Sequence, residues 1–249
     1  MSRLLTTMAV ISILSGCSST PVPRIASNIS STEQNALNAL MLQNMEEAGR
    51  ALDLALADYH RIDDLYGRWR IQSLKTKLAL GASQLGAARI LAPELMELSS
   101  QLNDRKVTYQ TSILLGRIHN DDEYFRRAMN HASNRLEQAM VYAYLGEPHK
   151  AVQLLDPDDQ DMPDNRAFIF YQSGIASGSI EDFNRALGYY RAARDYRGVA
   201  DSLFRLARIS ADNTDVERAR QYADRAIKAL EAGNRPENAR IIRNWVLTL

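Results

Sequence analysis

Hydrophobic and polar positions divide the chain into three stretches. Leu4 to Leu14 is an apolar run interrupted only by Thr6, Thr7 and Ser12. Ser18 to Ser31 is rich in Ser, Thr and Pro and has no helical period. From Thr32 onward apolar residues recur three and four apart, as in Leu37, Leu40, Met41, Met45, Ala48, Leu52, Ala55 and Leu56. That spacing keeps one face of a helix apolar, and Thr32 is placed to cap the first helix. No clean two-residue alternation follows, so the chain is expected to be all-α. Pro148 and Pro236 stand where helices should start, whereas Pro157 and Pro163 are assigned to a loop. Pro93, inside the run Ile90 to Leu95, is read as a break or kink.

Three successive segments share a spacing of small residues. Ala207, Ala219, Ala223 and Ala226 lie 12, 4 and 3 positions apart, and Gly174, Ala186, Tyr190 and Ala193 repeat those intervals. Ala139, Ala151 and Leu155 supply a third unit, with offsets of 35 and 33 residues between equivalent positions Ala151, Ala186 and Ala219. Small residues at such positions allow two helices to approach closely. The units resemble tetratricopeptide repeats, whose period is about 34 residues. That resemblance implies an α-solenoid of antiparallel helix pairs. The aromatic expected early in each unit is Phe170 in one, Leu203 in the next and Arg135 in the third, and Glu231 stands where the closing proline is expected. Upstream the register is lost, because Leu115-Gly116 and Ala128 look like another start but Ala151 follows Ala128 by only 23 residues. Residues 32–131 are therefore read as degenerate repeats and 132–233 as tetratricopeptide-like. In 234–249, Ile241, Ile242, Trp245, Val246 and Leu249 form the apolar face of a helix read as a cap on the array, with a docking segment for a partner as the alternative.

The start of the chain has the layout of a secretory signal peptide. Met1, Ser2 and Arg3 give a positive end, the apolar run is too short to be a stable membrane span, and small residues precede Cys17. Leu14-Ser15-Gly16-Cys17 resembles the bacterial lipobox. The resemblance implies removal of residues 1–16 and covalent acylation of Cys17, the sole cofactor-like group expected. Ser18, where aspartate would favour the inner membrane in that family, implies an outer-membrane anchor on the periplasmic face. Residues 17–31 then form a lipidated tether, about 20 Å in mean extension for a flexible chain of this length.

Composition narrows the chemistry. Of 249 residues 45% are hydrophobic, and 30 basic side chains balance 30 acidic ones. That excludes wholesale disorder and argues against a nucleic-acid partner. One cysteine cannot close a disulfide within the chain. His60, His119, His131 and His149 are scattered, although His119 and His131 could meet across a hairpin. No metalloprotease, serine-hydrolase or phosphate-loop motif occurs. The acidic stretch Asp156 to Asp164 does not fit a calcium loop, since Asp161 and Ala167 hold the places that need Gly and Glu. No catalytic or metal-binding residue is therefore assigned. A cell-wall-modifying enzyme on a helical scaffold, with Glu123 or Glu137 as its acid, is the alternative.

Arginine dominates the basic residues, 25 of 30. Arg185, Arg191, Arg194, Arg197, Arg205 and Arg208 are interleaved with Tyr189, Tyr190, Tyr196 and Phe204. Arg and aromatic side chains carry much interface energy. The resemblance places Phe168, Tyr171, Ile175, Phe204, Arg205 and Arg208 on a concave face as a candidate partner-binding groove. The expected function is a non-catalytic adaptor, anchored by lipid in the outer membrane and binding one or more envelope proteins. Tetratricopeptide lipoproteins of this kind serve pilus and secretin assembly, outer-membrane protein assembly or peptidoglycan enzyme regulation.

Overall fold

A computed structural model describes residues 30–41, 44–156 and 162–249. The predicted signal peptide, Cys17 and nearly all of the tether lie outside these residues, as do Pro157 to Asp161 of the acidic stretch. Among the described residues there are thirteen helices and no strand, so the molecule is all-α. No described helix is long and apolar enough to cross a membrane.

The helices pair in chain order. α1 (Ser31–Met41) packs on α2 (Met45–Arg61), α3 (Leu65–Gly81) on α4 (Leu85–Leu102), and α5 (Arg105–His119) on α6 (Asp122–His131). The shorter α7 (Arg135–Tyr144) and α8 (Pro148–Gln153) follow, then α9 (Pro163–Ser177) with α10 (Ile180–Ala192), and α11 (Tyr196–Asp212) with α12 (Val216–Ala232). α13 (Pro236–Val246) lies against α12.

Short turns join these helices because one residue often ends one helix and starts the next. The amide of Asp64 donates to the Tyr59 carbonyl while its carboxylate accepts from the Gly67 amide. Asp121, Asp195 and Asp215 do the same at later turns. A backbone amide closing the old helix and a carboxylate capping the new one satisfy groups that would otherwise be left over. The residue just before these caps is left-handed, and it is Asp63, Asn120, Arg194 or Thr214 rather than glycine.

Close packing explains the small residues. In each of the six hairpins a small or short residue on the first helix is followed twelve positions later by an alanine on the second. The pairs are Ala36 and Ala48, Thr76 and Ala88, Gly116 and Ala128, Ala139 and Ala151, Gly174 and Ala186, and Ala207 and Ala219, all buried. The glycines admit aromatic rings. A Cβ on Gly116 or Gly174 would come within 2.5 or 2.9 Å of the ring of Phe125 or Phe183, and one on Gly67 or Gly198 within 2.3 or 2.2 Å of Tyr59 or Tyr190. The first two contacts lie within a hairpin and the other two join one hairpin to the next.

Several local expectations need correction. α1 begins at Ser31, and the Ser30 hydroxyl, not Thr32, accepts the Glu33 amide. Pro163 opens α9 rather than lying in a loop. α4 runs through Pro93 without a break. Proline in a helix forfeits a hydrogen bond at a cost of about 3 kcal/mol, which burial of Ala88, Ala92 and Leu95 on either side offsets. Pro148 and Pro236 do open helices. On α13, Ile242 is buried while Trp245 and Val246 pack on the last core cluster, but Ile241 is 62% exposed and falls off that face.

Candidate functional site

α9 and α11 carry the six groove residues. Phe168, Tyr171 and Ile175 lie three and four positions apart on α9, and Phe204 and Arg208 lie four apart on α11, so each set shares a helix face. Their environments differ. Phe168 sits 4.6 Å, between ring centroids, from Tyr144, which itself stacks on Phe125 at 5.1 Å. Tyr171 meets the edges of Phe183 and Tyr190, and its hydroxyl accepts from Arg205 Nε at 3.4 Å. Phe204 meets Trp245 of α13 edge-on at 5.1 Å. These three rings and Arg205 are half-buried and brace neighbouring helices. Ile175 and Arg208 present exposed side chains.

Further residues with shifted titration lie outside these six. Burial pushes the Tyr144 phenol above its ordinary range, and the Arg117 guanidinium hydrogen-bonded to it pulls the other way. Lys77 on α3 is held below the usual lysine range, first by thinned solvent around its ammonium and then by the charge of Arg117. Its side chain is exposed by area, and the concave surroundings account for the lost hydration. Asp201 on α11 is pushed upward by burial, although Arg197, Arg205 and Arg235 act against the shift. A positional signal could have found two of these residues. Lys77, Arg117, Ile175 and Arg208 each directly follow the small residue of their hairpin's first helix.

The chain also comes back on itself. Arg197 Nη1 at the start of α11 donates to the Gly81 carbonyl at the end of α3, at 2.8 Å and across 116 positions. Beside this contact lies a cleft of about 750 Å³, walled by α2, α3 and α4 on one side and by Gly233, Asn234 and Arg235 of the α12–α13 turn on the other.

The arginine run does not form a single patch. Arg185 on α10 pairs with Glu181 at 2.6 Å and lies over the Phe170 ring, whereas Arg197 faces Asp201 at 3.7 Å. The carboxylates considered for catalysis have structural contacts. Glu137 accepts the Ser133 amide at 2.5 Å while its own amide donates to Asn134, and exposed Glu123 lies 3.6 Å from Arg126. His119 stacks on Tyr124, and the His131 carbonyl accepts from Arg105. No group of three or more His, Cys, Asp or Glu side chains suited to a metal occurs among the described residues.

No protein-family model matches the chain, and no curated protein matches it.

Proposed function

We propose that this chain is an outer-membrane lipoprotein that works as a non-catalytic scaffold on the periplasmic side, built as a tetratricopeptide-like solenoid and anchored through acylated Cys17. The observation that carries the reading is the recurrence, in all six hairpins, of the buried small pair twelve residues apart. Serial hairpins packed on their neighbours expose the first helix of each along one surface. On α9 and α11 that surface offers Ile175 and Arg208 beside ring-braced Phe168, Tyr171, Phe204 and Arg205. Aromatic anchors beside arginine suit a protein partner in the envelope.

Two measurements test the two halves of this reading. Cys17→Ala should leave the precursor uncleaved and remove the protein from the outer-membrane fraction; normal processing would overturn the lipoprotein assignment. Ile175→Asp with Arg208→Glu changes two exposed side chains, so the helical circular dichroism should stay as in the wild type. Cross-linked envelope partners recovered with the wild type should be lost with this variant, and identical recovery would overturn the groove.

A further inference from the structure

We infer that the cleft between α2–α4 and the α12–α13 turn is a second binding site, distinct from the α9–α11 face, and that it takes an acidic peptide segment bearing apolar side chains. The apolar wall comes from Met45 and Leu52 of α2, Leu78 of α3, and Ile90 and Leu91 of α4. Met45 is 54% exposed and Ile90 80%, so much of this wall is uncovered. Its volume lies within the roughly 300–1,000 Å³ typical of ligand sites.

Charge selects the occupant. Glu46 in the cleft already pairs with Arg50 at 3.0 Å, and Lys75 pairs with Asp53 at 2.7 Å. Lys77 has no carboxylate within ion-pair distance among the described residues and instead feels a second cation, Arg117. Arg235, on the opposite wall, likewise makes no ion pair among the described residues and only senses Asp201 on α11. A carboxylate between Lys77 and Arg235 would relieve that imbalance from both sides. The carboxamides of Gln84 and Asn234 line the same cleft, and neither makes a hydrogen bond among the described residues. They can serve the main chain of a peptide, which a simple fatty carboxylate lacks. One wall belongs to the first hairpins and the other to the last, so an occupant would also hold the two ends together beside the Arg197 to Gly81 bond.

The test uses the full chain in mild detergent and a fluorescein-labelled peptide, Asp-Leu-Leu-Glu-Leu-Asp, read by fluorescence polarisation. Peptides with Lys for the acids or Ser for the leucines should bind at least about tenfold more weakly, as loss of the charge or apolar contacts requires. Lys77→Glu and Ile90→Asp should each weaken the acidic peptide by a similar factor, whereas Ile175→Asp with Arg208→Glu should not. Octanoate should fail to displace the peptide. Both cleft substitutions fall on exposed side chains, and Met45→Asp repeats the test should either variant unfold. The proposal is overturned if acidic and basic peptides bind alike, if the cleft variants bind as wild type, if the α9–α11 variant loses binding equally, or if octanoate competes.

Discussion

Between α11, α12 and α13 the packing is almost wholly apolar: Leu203, Leu206, Ala207, Ala223, Ala226, Leu230, Ala239 and Ile242 belong to one buried cluster that extends back to Phe183 and Leu187. Between α1, α2 and α3 an apolar cluster of Ala36, Ala51, Leu52, Ala55 and Ile71 is supplemented by a buried ionic knot. Glu33, only 2% exposed, receives two hydrogen bonds of 2.5 Å from Arg70 and one of 2.5 Å from the Tyr59 hydroxyl. Arg70 also donates to Tyr59 at 2.8 Å, and the Ser30 amide donates to the same phenol. The small pair twelve residues apart is common to both regions. The difference teaches that this contact sets how closely two helices approach, while the chemistry filling the remaining space is free to vary. The failure modes then differ. An apolar cluster fails by leaving a cavity, whereas an ionic knot fails by stranding a charge.

The largest expected effect breaks the knot. Arg70→Met leaves Glu33 buried without its cation, and breaking a buried pair in this way costs about 3–5 kcal/mol. Urea unfolding followed by circular dichroism should show that loss, with amide exchange rising first in α1–α3. Glu33→Leu combined with Arg70→Met should recover most of it, because no charge is then stranded. If the single and double variants lose the same stability, the knot is not what joins these helices. In the apolar half Leu206→Ala should cost about 2–5 kcal/mol through its cavity, and no second-site charge change should rescue it.

Next come the glycines that admit a ring in each half. Gly67→Ala and Gly198→Ala both drive a methyl into a tyrosine, Tyr59 or Tyr190, and overpacking of this kind costs about 1–3 kcal/mol. Similar losses in the two variants would support a shared interhelix contact, and a neutral Gly67→Ala would confine it to the last hairpins. Tyr190 also makes stability depend on pH. Burial, followed by the charge of Asp195, holds its phenol well above its ordinary range, and burial does the same for Tyr109. A folded-state value above the unfolded one means that the native protein keeps these protons after the unfolded chain releases its own near pH 10. Stability from both phenols is thus fully present below about pH 10 and is lost as the pH rises beyond it. The urea midpoint should stay flat toward pH 9.5 and then fall, and Tyr190→Phe should reduce the fall.

Helix content and the last three hairpins were legible because apolar spacing and the alanine intervals are local. Ala139 with Ala151, Gly174 with Ala186, and Ala207 with Ala219 follow one another at offsets of 35 and 33 residues. The first hairpins escaped because α2, α3 and α4 run to 17 or 18 residues, which spreads Ala48, Ala88 and Ala128 to 40-residue intervals. α6 and α7 have only ten residues each, which shortens the next interval to 23. The twelve-residue pair survives both changes because it spans only one turn and the helix ends beside it. The turns themselves were masked by side chains such as Arg194 and Thr214 at left-handed positions where glycine would have been the signal. Ile175 and Arg208 were placed by register, but Lys77 and Arg117 needed the register upstream. The contact of Arg197 with Gly81 had no local signature, since it depends on geometry accumulated over the seven helices between them.

The smallest effect concerns a residue at which the two regions differ within the shared pair. Where the last hairpins place Gly174 and Ala207, α3 places Thr76, fully buried, and its hydroxyl has no hydrogen-bond partner among the described residues. Ser73 Oγ and Gln72 Oε1, on the same helix, are likewise buried and unpaired among the described residues. An unpaired buried polar group costs about 1–3 kcal/mol in desolvation. Thr76→Val keeps the branched shape while deleting the hydroxyl, so it should raise stability by about 1 kcal/mol and move the urea midpoint upward. The matched change in the apolar half, Ser202→Ala, removes another buried unpaired hydroxyl. A gain at position 202 without one at 76 would mean that the α3 hydroxyl is satisfied in solution and that the first hairpins are wetter than their packing indicates. Gains at both would show that the polar character of α3 is separable from the ionic knot beside it, and that the twelve-residue contact needs only small volume at this position.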